Sequence, residues 1–293
     1  MLKHCTLLLA LLSLPCFLHA NTIPLKEAVD KGLIKVNVKA LGGHSGACIQ
    51  VQIIRLGQSH YKISIPAGHV FYPTDSSTQN LIVVKEELAT LALPRTTLKV
   101  QGLCSQAHDA SPQAEESFSL GEMAGGALQK MAEHLSRSLL YQDPSAQTAI
   151  WAMSDSTLIP GIAHAGLLST ACQIMGVAIP EYRIRRLSAA PVTTRTTTTS
   201  GTRPRRAPAF VREPMLVEGF FKYDSGDKPA LISAYLIDSS GQKVQTFFED
   251  QKQDAGVIAR YKFEYKTTKL PPGRYEVVYY VDRQLKKRIV VRY

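Results

Sequence analysis

The chain has 293 residues, with 34 Lys+Arg against 24 Asp+Glu and a formal net charge of +10. A 45% hydrophobic and 20% charged content excludes wholesale disorder, a coiled-coil rod and a collagen-like polymer. The total invites a nucleic-acid or anionic-membrane reading, but residues 1–20 carry a net +1, 21–180 a net −1, 181–214 a net +6 and 215–293 a net +4. The basic balance is mainly a property of one short segment, so no nucleic acid is expected as a partner.

Met1 to Ala20 reads as a secretory signal: Lys3 and His4 precede the apolar run Thr6 to Leu14, and Leu18-His19-Ala20 ends on a small residue. The run is shorter than the about 20 apolar residues that span a bilayer, and Pro15 interrupts it. Pro15 also stands where a small residue would precede a lipidated Cys16. No later stretch reaches transmembrane length. The mature protein is expected to be secreted or held at the outer cell surface without a transmembrane segment. Its cysteines are then Cys48, Cys104 and Cys172. In an oxidising compartment these allow one disulfide, with one thiol left over.

From Asn21 to about Leu103 the pattern is strand-like. Ile34 to Ala40 alternates apolar and polar, as a half-buried strand does. Cys48–Ile54, Tyr61–Ile65, Leu81–Val84 and Thr97–Val100 follow, with Pro66-Ala67-Gly68 as a turn. Between about Leu120 and Met175 the period changes, with Met123, Ala127, Leu128, Met131, Leu135 and Leu139 at three- and four-residue steps predicting an amphipathic helix. A second helix is expected over Gln147–Met153, started by Asp143-Pro144-Ser145, and a third over His164–Met175. Strands followed by helices predict an α+β domain over 21–180. Residues 181–214, rich in Arg, Thr and Pro, read as a disordered linker whose Thr run can carry glycans. Residues 215–293 read as short strands separated by Gly and Pro, an all-β sandwich.

Three runs stand out in this last stretch: Tyr235 to Val244, Leu270 to Val278 and the closing Lys286 to Arg292. Together they resemble the C-terminal sorting domain of proteins exported by the type IX secretion system of Bacteroidota, itself similar to an immunoglobulin-like domain. Gly241, Pro272, Gly273, Tyr275 and Lys287 carry the motif. The sequence departs from the family at Asp282-Arg283-Gln284, where a Gly-containing turn is usual, and at the closing Tyr293. The resemblance implies an immunoglobulin-like fold and the export machinery as a partner, and it says nothing about activity.

Chemistry would then belong to residues 21–180. Leu103-Cys104-Ser105 puts a Cys at a strand end, and Ala146-Gln147-Thr148-Ala149-Ile150-Trp151 puts a Gln at a helix start. Together they resemble the thioester domains of bacterial surface adhesins, at a Cys-to-Gln separation shorter than usual there. The resemblance implies Cys104 and Gln147 as a thioester pair, with Ile150 and Trp151 shielding it. The thiol would attack the side-chain amide, ammonia would leave, and the acyl–sulfur bond would await an amine on an unknown protein or surface ligand.

The competing reading of the same cysteines is a disulfide among Cys48, Cys104 and Cys172, or a buried thiol. Cys104-x-x-x-His108 with Asp109 lacks the further ligands a zinc site needs, and no metal or cofactor is expected. Gly43-His44-Ser45-Gly46-Ala47 falls short of a nucleophile elbow, because Ala47 replaces the closing Gly; it reads instead as a hairpin connection. The expected function is binding or adhesion without turnover. A secreted Cys-dependent hydrolase and a disulfide-stabilised envelope protein are the alternatives.

Overall fold

In the computed structural model the described residues are 22–107, 109–154, 156–187 and 214–293. The expected signal, His108 and most of the expected linker lie outside them. Strands account for 48% of the described residues and helices for 20%, so the described part of the chain is mainly β.

The first strand is β1 (Thr22–Pro24), followed by helix α1 (Leu25–Asp30). Then come β2 (Ile34–Ala40), β3 (Ser45–Arg55), β4 (Lys62–Ile65), β5 (His69–Pro73), β6 (Leu81–Val83), β7 (Glu87–Thr90), β8 (Arg95–Cys104) and β9 (Ser117–Met123). Six of these close a barrel in the order β2-β3-β8-β6-β5-β9, and β1-β4-β7 form a small separate sheet. Closure removes the unpaired strand edges that an open sheet would expose. The alternation read in Ile34–Ala40 is real: Ile34, Val38 and Ala40 are buried while Lys35 and Asn37 are exposed. The glycines make the hairpin connection as expected, Gly42 and Gly43 just before β3 and Gly46 at its start, at φ 91°, 82° and 83°, values that suit a residue without a Cβ.

Helices α2 (Gly126–Ser138), α3 (Ala146–Ala152) and α4 (Ala165–Met175) pack against the barrel. The helical pattern starts later than the sequence suggests. Leu120 and Met123 belong to β9, which pairs with β2 and β5 to close the barrel, and Gly126 takes a left-handed φ of 57° where the helix begins. Leu139 also leaves the apolar face. It caps α2 at φ 58° and is 71% exposed.

Two cores result. One fills the barrel with Ile49, Val51, Ile53, Phe71, Leu81, Val100 and Cys104. The other lies between barrel and helices, where Ile82, Val84 and Leu103 meet Met131, Leu135, Ala149, Ile150, Leu167 and Cys172. Successive strand residues face opposite ways, so Leu103 points to the helices while Cys104 points into the barrel.

The C-terminal part contains β10 (Tyr182–Arg186), β11 (Met215–Asp224), β12 (Ala230–Ile237), β13 (Lys243–Gln253), β14 (Ile258–Lys266), β15 (Arg274–Val281) and β16 (Gln284–Arg292). Two antiparallel sheets, β10-β11-β14 and β13-β12-β15-β16, face each other. Val217, Phe221 and Phe263 of one meet Ile232, Leu236, Val277, Tyr279 and Val291 of the other in a shared core. The expected boundary at 181–214 is corrected in part. Tyr182–Arg186 is the first strand of this sandwich, paired along its whole length with Met215–Gly219, because Ile184 finds cover in the sandwich core.

Candidate functional site

Cys104 ends β8 and is fully buried; Gln147 is the second residue of α3 and is 7% exposed. The start of α3 is set locally. The Asp143 carboxylate accepts a hydrogen bond from the Ser145 backbone N–H at 2.7 Å, an Asx turn of the kind Asp favours. The Ser145 hydroxyl then accepts from the His164 N–H at 3.1 Å, tying the starts of α3 and α4 together. These contacts aim the Gln147 side chain at the end of β8.

There it makes a two-way contact with the backbone of Cys104. The Cys104 N–H donates to Gln147 Oε1 at 3.1 Å, and Gln147 Nε2 donates to the Cys104 carbonyl at 2.7 Å. Cys104 N–H is shared with the carbonyl of His44, also at 3.1 Å. A buried side-chain amide must satisfy both its donor and its acceptor, and here both partners belong to the residue that carries the thiol. The N–H polarises the amide carbonyl, as an oxyanion donor does for an acyl carbon.

Burial pushes the Cys104 thiol up to about 12, with neighbouring Cys48 adding to it, and pushes Cys48 up to about 11. Both are neutral thiols at ordinary pH, unlike the exposed, low-pKa thiolates of cysteine hydrolases. The expected disulfide does not form: Cys48, Cys104 and Cys172 are all free and buried. Cys172 belongs to the helical core and the other two to the barrel core. The Cys48 sulfur packs at Gly102, two residues short of Cys104, where even an added Cβ would come within 3.2 Å of it.

The two shielding candidates are placed differently. Ile150 is fully buried in the helical core. Trp151 is half-buried against the barrel core that contains Cys104. Its indole N–H donates to Gln79 Oε1 at 3.1 Å, and Gln79 Nε2 donates to the Asp109 carbonyl at 2.9 Å. Ser105 donates its N–H to the Asn80 carbonyl at 2.9 Å, and the Ser154 hydroxyl reaches the Ser105 carbonyl at 3.4 Å. Gln79, Asn80 and Ser154 were not legible as site residues. A polar loop such as Thr78-Gln79-Asn80 looks solvent-exposed in sequence, yet Gln79 is 3% exposed.

The described histidines are scattered. His164 caps α4, its Nδ1 accepting from the Leu167 N–H at 3.1 Å; His134 sits 3.5 Å from the Thr170 hydroxyl; His69 is buried in the barrel wall. Among the described residues no group of three or more His, Cys, Asp or Glu side chains gathers as a metal site. No described helix is long and apolar enough to cross a membrane.

The chain matches no known protein family and no curated protein. Among solved structures it is similar to a Pseudomonas fluorescens alkylpurine DNA glycosylase AlkC bound to DNA containing an abasic site analog, at 17% identity and a TM-score of 0.21. The match covers 57% of this chain and 45% of the glycosylase, so it spans less than half of that protein. A likeness this slight bears on neither fold nor activity.

Proposed function

We propose that residues 22–180 form an adhesive domain in which Cys104 and Gln147 condense to an internal thioester that captures an amine on a surface partner. The observation that carries this reading is the two-way seating of the Gln147 amide on the Cys104 backbone, inside a seam from which both side chains are shielded from water. The Cys104 sulfur bonds to the Gln147 amide carbon, the C–N bond breaks, and the thiol proton leaves with the nitrogen as ammonia. A neutral acyl–sulfur bond suits an apolar site that disfavours a thiolate, and exclusion of water slows its hydrolysis. The partner's amine then displaces the sulfur, giving an amide bond and a free thiol. Such a protein acts once and does not turn over.

For residues 182–293 we propose an immunoglobulin-like sandwich that serves as a sorting domain for export to the outer cell surface. Seven strands in a three-plus-four arrangement support the fold. So does Tyr275, at the start of β15, whose hydroxyl donates back to the Pro271 carbonyl at 2.8 Å in the manner of the tyrosine corner of such sandwiches. Of the other motif residues, Gly241 takes φ 84° in the turn after β12, and Lys287 pairs with Glu181 just before β10 at 2.7 Å.

Intact mass of the exported chain tests the thioester. The wild type is expected one ammonia lighter than its sequence, and methylamine should add to it and release one thiol. Cys104→Ala and Gln147→Ala should each show the plain sequence mass and no methylamine adduct. An unmodified wild-type mass with three thiols titratable in denaturant would overturn the reading.

A further inference from the structure

The first strand of the sandwich reaches back to the candidate site. Arg183 Nη1 donates to the Ile162 carbonyl at 2.9 Å, fixing β10 beside the 3-10 turn Ser156–Gly161 that follows α3. The next residue is Ile184, whose carbonyl lies beside Gly161. The guanidinium of Arg186 then stands 5.4 Å from the centroid of the Trp151 ring, within the range of a cation–π contact, for which Trp is the best partner. Trp151 is thereby held from two sides, by Gln79 through its N–H and by Arg186 over its face. It lies on α3, four residues beyond Gln147 and hence on the same side of that helix.

We infer that Arg186 is a positioning residue: it holds the Trp151 indole over the Cys104–Gln147 seam, so that the C-terminal sandwich sets how readily an amine reaches the thioester. This rests on the thioester reading. The arrangement implies that an attached sandwich keeps the bond closed off, and that separating β10 from α3 opens it. The adhesive domain would then be least reactive while its C-terminal partner domain is docked.

Trp151 is the only tryptophan of the chain, so intrinsic fluorescence reports on it alone. In the full-length protein, Arg186→Ala should shift the emission to the red and steepen acrylamide quenching, with Arg186→Lys intermediate because it keeps the charge but not the planar fork. Losing a contact of this class should speed methylamine consumption about two- to five-fold in Arg186→Ala, followed by mass. Unchanged quenching, or an unchanged rate in a chain that carries the thioester, would overturn the inference alone. A wild type that never loses ammonia would overturn the thioester reading and this inference with it.

Discussion

His69 opens β5 at 1% exposure, its Nε2 has no hydrogen-bond partner, and its ring meets Phe71 edge-on at 5.1 Å. Burial lowers its pKa from 6.5 to about 4, against a small upward pull from Glu122 and with a further downward push from Lys26. The folded state therefore holds it neutral, while the unfolded chain takes up a proton below pH 6.5. Stability linked to His69 is complete above pH 6.5 and is lost as pH falls toward 4. The loss is on the order of 3 kcal/mol at the acid end, from 1.36 kcal/mol per pKa unit. Urea midpoints from pH 7 to pH 4 for wild type and His69→Phe should diverge, the variant falling less; parallel curves would refute the assignment. At this scale the sequence was informative where chemistry is local. Cys104 and Gln147 could be picked out because each sits in a short motif at an element's end. Gln79 could not, because its burial depends on Trp151 arriving from another element 72 residues on.

Elements were legible where burial follows one face and less so where a distant partner decides. The strand runs from Leu231 onward and the start of α3 follow their patterns. The end of β9, Leu120 to Met123, looks helical in sequence because Met123 continues the spacing of Ala127 and Met131, yet its extended form is imposed by Phe71 and His69, about 50 residues away in the chain. β10 was hidden by its three arginines, since Ile184 is its one buried side chain. The turn between β15 and β16 is informative in the opposite sense. Its departure from the sorting-domain pattern is a two-residue connection in which Asp282 and Arg283 take φ 48° and 67°, the left-handed backbone that hairpin turns of this kind require and that usually selects Asn or Gly. Asp282 is compensated, since its carboxylate accepts from the Leu231 N–H at 2.9 Å. Exposed Arg283 has no such compensation in its backbone angle. Arg283→Gly is therefore expected to stabilise the sandwich by about 0.5–1 kcal/mol, seen as a higher thermal midpoint, whereas a lower midpoint would mean that the arginine side chain contributes more than its backbone costs.

For the whole molecule, the division at 181–214 has to move. The sandwich begins at Tyr182, and Leu187 N–H meets the Pro214 carbonyl at 2.9 Å, so the Arg-rich stretch leaves and rejoins the chain at the base of one strand pair. Most of the +6 charge of 181–214 thus belongs to an insertion within the C-terminal unit, which leaves the Cys104–Gln147 domain near neutral. This dictates how sorting must be tested. A chain ending at Pro214 would keep β10 but remove β11, its partner along every residue, exposing Ile184 and leaving the strand's polar backbone groups as an open edge. Loss of export from that chain could come from aggregation alone. A chain ending at Pro180 has no orphaned strand; it gives up the Arg183 and Arg186 contacts with Ile162 and Trp151 but leaves both N-terminal cores whole. Cell fractionation should find this shorter chain soluble, folded by circular dichroism and absent from the outer surface. The chain ending at Pro214 should be absent from the surface and also prone to aggregate. Surface delivery of the chain ending at Pro180 would show that the sandwich is not the sorting signal.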